Sequence, residues 1–440
     1  MSFYHGTIGA ANPLALSRDG LRCYPLRLAM ASIRKCDVLI AGAGPAGLAT
    51  ALFLLREHPE FAGRIVVLEK SRHPRFKVCA GGLIPKVILA LAELGIPLEV
   101  PSAQVLNGDA RTSAGDVDFS GGGEPLCTVI RRDDFDAMLA RRAIAAGAEI
   151  AEHSRVLNVS QDAERVSVET SQGIFDAGVL VGADGSGSRV RRAIFGGGKE
   201  SLGRGLMTDI PADPDTAREF AQQGYRFDFR CVGRGIRGYS WSFPCIIGGR
   251  PHLNVGIYDQ RPREFGETGG EQARMLSELA DAFPELQLNA LTHRGMSWRA
   301  FPIRWFNAND RYADGRAILA GDAAGCDPMM GEGISCAFEH GKLAARAIAR
   351  FLAGDRPALV AYDSALHSGV AGRKLRKLAF AARHFYGPHS RWFFRLAMVS
   401  RRAREIGIDW SNGAHHLDEL PVSTLLARWA WSVLFRTSVR

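Results

Sequence analysis

The sequence predicts an α/β fold: a Rossmann-like dinucleotide-binding domain, a second domain built on a mixed β-sheet, and a helical C-terminal region. Three observations carry this. An apolar run at 36–41 leads into Gly42, Gly44 and Gly47, which stand at G-x-G-x-x-G spacing. Two more turns rich in glycine and aspartate follow apolar strands far downstream, at 182–185 and 321–333. Between those two lies an aromatic-rich stretch, 203–258, of short strands, and from 356 onward the chain reads as helices only.

Residues 1–34 carry Arg18, Arg22, Arg27 and Arg34 against a single acid, Asp19. That is loosely the composition of a targeting segment, but no continuous apolar core accompanies it. The plainer reading is an N-terminal extension or upstream start, with Met30 near where a chain of this type begins.

Residues 36–41 have the pattern of a buried parallel strand, and 48–56 that of an apolar helix. The connecting Gly42-Ala43-Gly44-Pro45-Ala46-Gly47 lets backbone N–H groups approach a pyrophosphate. The helix N-terminus adds partial positive charge there. A second strand, 64–68, ends on Glu69, 22 residues past Gly47, with Lys70 next. An acid at that point suits the two hydroxyls of a ribose and disfavours a 2′-phosphate. A glycine-rich turn can exist without a ligand, but strand, turn, helix, strand and acid together favour a dinucleotide.

Cys79-Ala80-Gly81-Gly82 precedes a helix at 85–94 with apolar Val87, Ile88, Leu91 and Leu94. The paired glycines allow close approach of backbone to a flat ligand, so Cys79 is either a reactive thiol or a small buried filler. Strands follow at 103–119 and 126–131, with a turn at 121–123. A helix then opens on Arg132-Asp-Asp-Phe-Asp136, its acids in the first turn as the helix dipole prefers. Strands at 149–159, 166–170 and 179–181 lead to Gly182-Ala183-Asp184-Gly185. The aromatic stretch contributes Tyr225, Phe227, Phe229, Tyr239, Trp241 and Phe243, a sheet that either holds an apolar ligand or is an ordinary core, with a helix at 269–282 on its outside. A strand at 317–320 precedes Gly321-Asp322, Pro328, Gly331 and Gly333, and a helix at 335–351 begins with small residues. Its N-terminus places N–H dipoles where they favour an anionic ring atom.

Charge is uneven. Residues 371–440 hold 13 Lys and Arg against 4 Asp and Glu, which accounts for the whole formal charge of +9. Aromatic and aliphatic interleaving favours a membrane surface or an anionic substrate over nucleic acid. Trp392, Phe393, Leu396 and Val399 fall on one helical face, and 424–436 mixes Trp429, Trp431 and Phe435 with Arg428 and Arg436. A membrane-surface helix and a helical cap on the enzyme body both fit. No C-x-x-C or H-E-x-x-H occurs, so no metal site is expected, and His415-His416 reads as an exposed pair. Eight scattered cysteines fit a reducing, cytoplasmic compartment. No run of 18 apolar residues suggests a transmembrane helix.

Gly42–Gly47 with Glu69, Gly182-Ala-Asp184-Gly185, and Gly321-Asp322 with Pro328 and Gly331, taken in that order, resemble the FAD-dependent oxidoreductases of the p-hydroxybenzoate hydroxylase fold. Cys79-Ala-Gly-Gly and Tyr239-Ser-Trp241-Ser-Phe243-Pro are similar to motifs of the geranylgeranyl reductase family, with a departure at Val78, where many members have proline. The resemblance implies FAD, held by Gly42, Ala43, Gly44, Pro45, Ala46, Gly47, Glu69, Lys70, Arg132, Asp184, Asp322, Pro328, Gly331, Gly333 and Ile334. Within that set Glu69 would bind the adenosine ribose. Arg132 and Asp322 would bind the pyrophosphate and ribityl region. Gly331, Gly333 and Ile334 would bound the isoalloxazine. Tyr239, Trp241 and Phe243 would line the substrate cavity, and Cys79 and Tyr239 are the candidate proton donors. The implied organisation is a Rossmann-like FAD-binding domain at 35–103, 127–200 and 312–355, a mixed β-sheet substrate domain at 104–126 and 201–311, and a helical basic region at 356–440.

Two activities follow from the resemblance. One is hydride transfer from flavin N5 to the C=C bonds of a polyprenyl, geranylgeranyl-type chain, an apolar or lipid substrate. The other is an FAD-dependent monooxygenase or halogenase acting on an aromatic molecule, although the Trp-x-Trp-x-Ile-Pro motif of flavin halogenases is absent. A non-catalytic scaffold has no need of three intact cofactor motifs. No second G-x-G-x-x-G fold exists, so electrons come from transiently bound NAD(P)H or a reduced protein.

Overall fold

Parallel strands align the three motifs on one edge. In the computed structural model, which describes residues 33–196, 201–260, 268–293 and 295–399, strand β1 (Arg34–Ala41) lies between β2 (Ile65–Leu68) and the strand Gly173–Gly182, parallel to both. Gly173–Gly182 is in turn parallel to Ala317–Leu319. Val38–Ala41 are fully buried, as a strand covered on both faces requires. In register, Ala41 sits opposite Leu68 and Gly182, and Gly182 opposite Leu319. The turns after these strands therefore emerge side by side at their carboxyl ends, the place where open α/β sheets bind ligands. Glu149–Ala151 extends the sheet beyond β2, Ala313–Asp314 pairs antiparallel with Ala317–Leu319 at the opposite edge, and Val166–Thr170 and Val156–Gln161 form an antiparallel arm, eight strands in all.

The expectation of one strand over 149–159 is corrected. Residues 152–155 turn the chain between two strands, with His153 at φ 57. After the Asp184 turn the chain makes a single π turn, Arg191–Phe195.

A seven-stranded sheet is assembled from Asn107–Thr112, Gly115–Ser120 and the strands between Leu202 and Arg304. Its strand Gly238–Ile247 alternates as period 2 demands. Tyr239, Trp241, Phe243 and Cys245 join one apolar cluster. The facing strand Arg250–Asp259 sends Leu253, Val255 and Ile257 into another, with Met275 and Leu279 of the outer helix Thr268–Ala282. A small third sheet pairs Gly82–Leu83 and Ser102–Val105 with Cys127–Ile130. It pins the cysteine-glycine turn: Gly81 has φ +84, and a Cβ there would lie 1.9 Å from the Ile130 carbonyl oxygen.

Through residue 399 the basic helices pack on the body. Phe385, Tyr386 and Phe394 join the cluster of Tyr239 and Trp241, and the Tyr386 hydroxyl donates to the Met329 carbonyl at 2.6 Å. The expected apolar face of the last helix, Ser390–Val399, is corrected at Trp392, which is 68% exposed, whereas Phe394 is buried. Phe394 sets the face by inserting between Phe229 and Phe385, which leaves Trp392 outside beneath Arg395. The expected helix at 424–436 and the extension 1–32 lie outside the described residues.

Helix α1 (Pro45–Glu57) is carried at the site by its packing against Ile334–Leu352. The two meet at Gly341, where a Cβ would come 2.8 Å from both the Ala49 Cβ and the Thr50 nitrogen. Backbone leaves little room to yield, so Gly341→Ala is expected to cost about 1–3 kcal/mol as an overpacked contact. Urea unfolding of the apo protein tests this, and an unchanged midpoint would mean that the helices separate freely.

Candidate functional site

A cavity of about 590 Å³ runs from the carboxyl ends of the parallel strands to the aromatic face of the seven-stranded sheet. Its cofactor half begins at α1. Gly44 is the residue before the helix, Pro45 takes the first position, and the unpaired N–H groups of the first turn open toward the cavity. Around Gly44 stand two guanidiniums. A Cβ built on Gly44 would meet only Arg75 Nη2, at 3.8 Å, and Arg132 Nη2, at 4.0 Å. The space has room for an anion and the charge to hold one, which fits the pyrophosphate of FAD.

A carboxylate fixes both guanidiniums. Arg132 donates Nε and Nη2 to the two oxygens of Asp136, at 2.8 and 2.9 Å, and Arg75 donates Nη1 to Asp136 at 2.9 Å. Burial by itself would raise the Asp136 carboxyl, but the two cations outweigh it and hold the group below its ordinary range. Arg75 also donates to the Ala43 carbonyl and pairs with Glu69 at 3.0 Å. Glu69 accepts from the Ser71 N–H as well, and its two oxygens keep acceptor capacity for ribose hydroxyls.

The other candidates divide. Gly42, Gly44, Pro45, Ala46, Glu69, Lys70, Arg132, Asp184, Asp322, Gly331, Gly333 and Ile334 line the cavity, as do Cys79, Tyr239, Trp241 and Phe243. Ala43, Gly47 and Pro328 lie behind the wall. The Ala43 carbonyl receives Arg75 and His73, and a Cβ on Gly47 would strike the Gly42 carbonyl at 2.0 Å. The Pro328 carbonyl accepts from Gln260. Asp184 caps its turn by accepting from the Arg189 N–H at 2.6 Å, while its Oδ1 is buried without a protein partner. Asp322 accepts from Ser186 at 3.3 Å, and a Cβ on Gly333 would lie 2.9 Å from its Oδ1.

On the substrate side, Phe227 packs edge to face with Tyr239 and Phe243, and Tyr225–Phe243 and Tyr239–Trp241 are tilted ring pairs. Their polar ends are occupied: the Tyr239 hydroxyl donates to the Met330 carbonyl, and Trp241 Nε1 to Asn254 at 2.8 Å. Burial raises the Tyr239 phenol further, which makes it a poor acid. Cys79 is half-buried, and its sulfur accepts the Gly81 N–H at 3.3 Å.

Sequence reasoning missed Arg75, Asp136, Lys77 and Tyr258. Asp136 had a signal, since an acid four residues after Arg132 lies on the same helical face. No local signal marks Arg75 and Lys77, which sit in a basic run that reads as solvated.

A model of the FAD binding domain family matches residues 35–368. The chain belongs to that family. The flavoprotein is an oxidoreductase of the FAD-dependent oxidoreductase and monooxygenase fold. It is 26% identical over 344 residues to the menaquinone reductase of Mycolicibacterium smegmatis, covering 71% of this chain and 76% of that one. It is 26% identical over 325 residues to a 12-dehydrotetracycline 5-monooxygenase/anhydrotetracycline 6-monooxygenase of Streptomyces rimosus, covering 69% and 60%. Its fold matches a geranylgeranyl bacteriochlorophyll reductase-like protein of Thermoplasma acidophilum with a TM-score of 0.68 at 20% identity, covering 86% and 96%. Among the described residues no cluster of metal-ligating side chains and no helix long and apolar enough to cross a membrane occurs.

Two predictions follow from this geometry. Gly44 has φ −91 and ψ −177, which valine adopts without strain, and its surroundings are open. Gly44→Val should therefore fold as well as the parent apo protein while its side chain fills the anion cradle, so that it purifies without flavin and regains none on adding FAD. Flavin absorbance checks this, and a yellow variant would place the pyrophosphate elsewhere.

The second concerns Asp327, which accepts from the Met329 and Met330 N–H groups at 2.6 and 3.1 Å and shapes the turn to Gly331. Burial pushes its carboxyl up to about 6, from 3.8. Between those values the native state binds more protons than the unfolded one. Its contribution is thus full below pH 3.8, falls as pH rises to 6, and stays lost above. Asp327→Asn should remove a fall of order 3 kcal/mol between pH 4 and 6, read as the difference between the two proteins' urea-unfolding free energies. Parallel pH profiles would contradict it.

Proposed function

We propose that the flavoprotein reduces C=C bonds of a polyprenyl chain. The observation that carries this reading is the aromatic half of the cavity. It is deep and apolar, its tyrosine and tryptophan polar atoms at Tyr239 and Trp241 are already bonded to protein, and it offers an extended hydrocarbon a dry wall. The similarity to a menaquinone reductase, and to a digeranylgeranylglycerophospholipid reductase of Methanosphaera stadtmanae at 25% identity, supports it.

FAD, when bound and reduced, supplies the hydride. The chain's own residues do the rest. Phe227, Phe243 and Trp241 hold the alkene and exclude water, and Cys79 at the cavity edge holds the proton that completes the saturated bond. An isolated trisubstituted alkene is electron-rich, so proton delivery accompanies or precedes hydride transfer. Tyr239 shapes the cavity rather than donating, because its hydroxyl is committed to Met330. Similarity to the tetracycline monooxygenase supports a second reading, oxygenation of an aromatic molecule. Under it NAD(P)H oxidation consumes oxygen in proportion to product.

The deciding experiment is anaerobic. Dithionite-reduced enzyme is mixed with candidate isoprenoids, and mass spectrometry looks for a gain of two mass units per reduced bond. No such gain, with substrate-dependent oxygen uptake in air, would transfer the function to the second reading.

Cys79→Ser keeps the volume but replaces the thiol by a much weaker acid. Single-turnover oxidation of reduced flavin by substrate, at matched FAD content, should slow by roughly 10²–10⁴-fold. A rate within about twofold of the parent would remove the thiol from the mechanism and leave a bound water as the source.

A further inference from the structure

Of the cavity-lining cations that are not exposed, Arg75, Lys77 and Arg132, Lys77 alone has no carboxylate partner among the described residues. Arg75 and Arg132 are each tied to carboxylates, Glu69 and Asp136. Lys77, on the same loop, lines the cavity between the Asp322 turn and the strand Arg299–Arg304, yet makes no ion pair with a carboxylate among the described residues. Its Nζ lies 2.8 Å from the ring centroid of Phe301. The neighbouring Phe76 lies between Arg299 and Arg131, so this loop is fastened across to the far sheet, and Lys77 is held inside rather than extended into water. Charged groups face it from each side: Arg75 and Cys79 from its own loop, Asp322 from the turn after Ala317–Leu319, and Arg132 from its helix.

A half-buried ammonium without a carboxylate is costly unless a ligand brings negative charge. Arg75, Arg132 and the start of α1 already serve a pyrophosphate. The remaining anion that FAD brings is its ring system, which gains negative charge on two-electron reduction. We propose that Lys77 is a positioning residue for that charge: its ammonium stabilises reduced FAD over oxidised FAD and so sets the cofactor's reduction potential. The inference rests on membership of the FAD-binding family and not on the polyprenyl reading, so either can fail alone.

Burial is the main cause that brings the Lys77 ammonium down to about 8, against the pull of Asp322 and aided by Arg132 and Arg75. A titration follows. Below pH 8 the ammonium is present in both redox states. Above it the oxidised protein loses the proton, and reduction, by adding negative charge nearby, takes it up again. One more proton per two electrons is a tenfold change in the equilibrium per pH unit, about 30 mV. The midpoint potential should therefore fall more steeply with pH above 8 than below.

The test is equilibrium redox titration of the holoprotein against dyes from pH 6 to 10, without substrate, together with sulfite binding to the oxidised flavin, which is favoured by positive charge beside the ring. Lys77→Met should weaken the preference for reduced FAD about tenfold or more at pH 7, a drop of about 30 mV or more. It should lower sulfite affinity in parallel and lose the break near pH 8. Lys77→Arg keeps the charge and does not titrate, so it should hold the potential of the parent below pH 8 and show no break. Cys79→Ser must retain the break, because Cys79 faces Lys77 from the same loop and the break is assigned to the ammonium and not to this neighbour. A Lys77→Met protein with the parent's potential, or a break that persists in Lys77→Arg and vanishes in Cys79→Ser, overturns the proposal. Should Lys77→Met fail to retain FAD, Lys77→Arg decides alone: an unbroken profile at the parent's low-pH potential supports the assignment, and an unaltered break refutes it.

Discussion

Asp136 carries the electrostatics of the cofactor half. It is fully buried on the helix Arg132–Ala145 and receives three guanidinium hydrogen bonds. Without a carboxylate between them, Arg75 and Arg132 would repel one another in a site with little water, and breaking a buried pair of this kind typically costs about 3–5 kcal/mol. With it, both forks are locked in direction, and each keeps N–H donors for the space above Gly44. The anion cradle above Gly44 is thus prepared before any ligand arrives. Preorganisation matters because ordering two long side chains at the moment of binding would be charged against affinity. The same carboxylate couples distant parts of the chain. Arg75 reaches from the loop after β2 to a helix in the middle of the sequence and to the Ala43 carbonyl of the glycine turn.

What the sequence revealed and what it hid follow from the range of the interactions. The glycine turn, Glu69 and the parallel strands were legible because their determinants are local: an apolar run, a turn only glycine can make, an acid at the next strand's end. Gly42 illustrates the point, since φ +110 and a Cβ 2.4 Å from the Ala183 carbonyl exclude other residues. The Arg75–Asp136–Arg132 bridge was half legible: Asp136 stands four residues after Arg132 on one helical face, whereas Arg75 lies in a stretch whose charges look solvated. Trp392 failed for a related reason. Helical periodicity marks which residues share a face, but Phe394 alone finds a gap between Phe229 and Phe385. The break at 152–155 was hidden because both halves are apolar enough to be strand, and only the sheet they join separates them.

The two halves of the cavity solve opposite problems. On the cofactor side, charge is concentrated and largely balanced, with the half-buried Lys77 ammonium left without a carboxylate. On the substrate side, polar atoms are withdrawn from the cavity: Tyr239 gives its hydroxyl proton to Met330, Trp241 its indole proton to Asn254, and Tyr386, from the C-terminal helices, bonds Met329. Two of these three bonds end on the Met329–Met330 backbone, whose N–H groups are held by Asp327. The aromatic wall and the turn that leads to Gly331 and Gly333 are therefore one hydrogen-bonded unit. Tyr258 stands where the halves meet, its ring packed against Gly331 and its buried hydroxyl, like Asp184 Oδ1 on the cofactor side, without a protein partner.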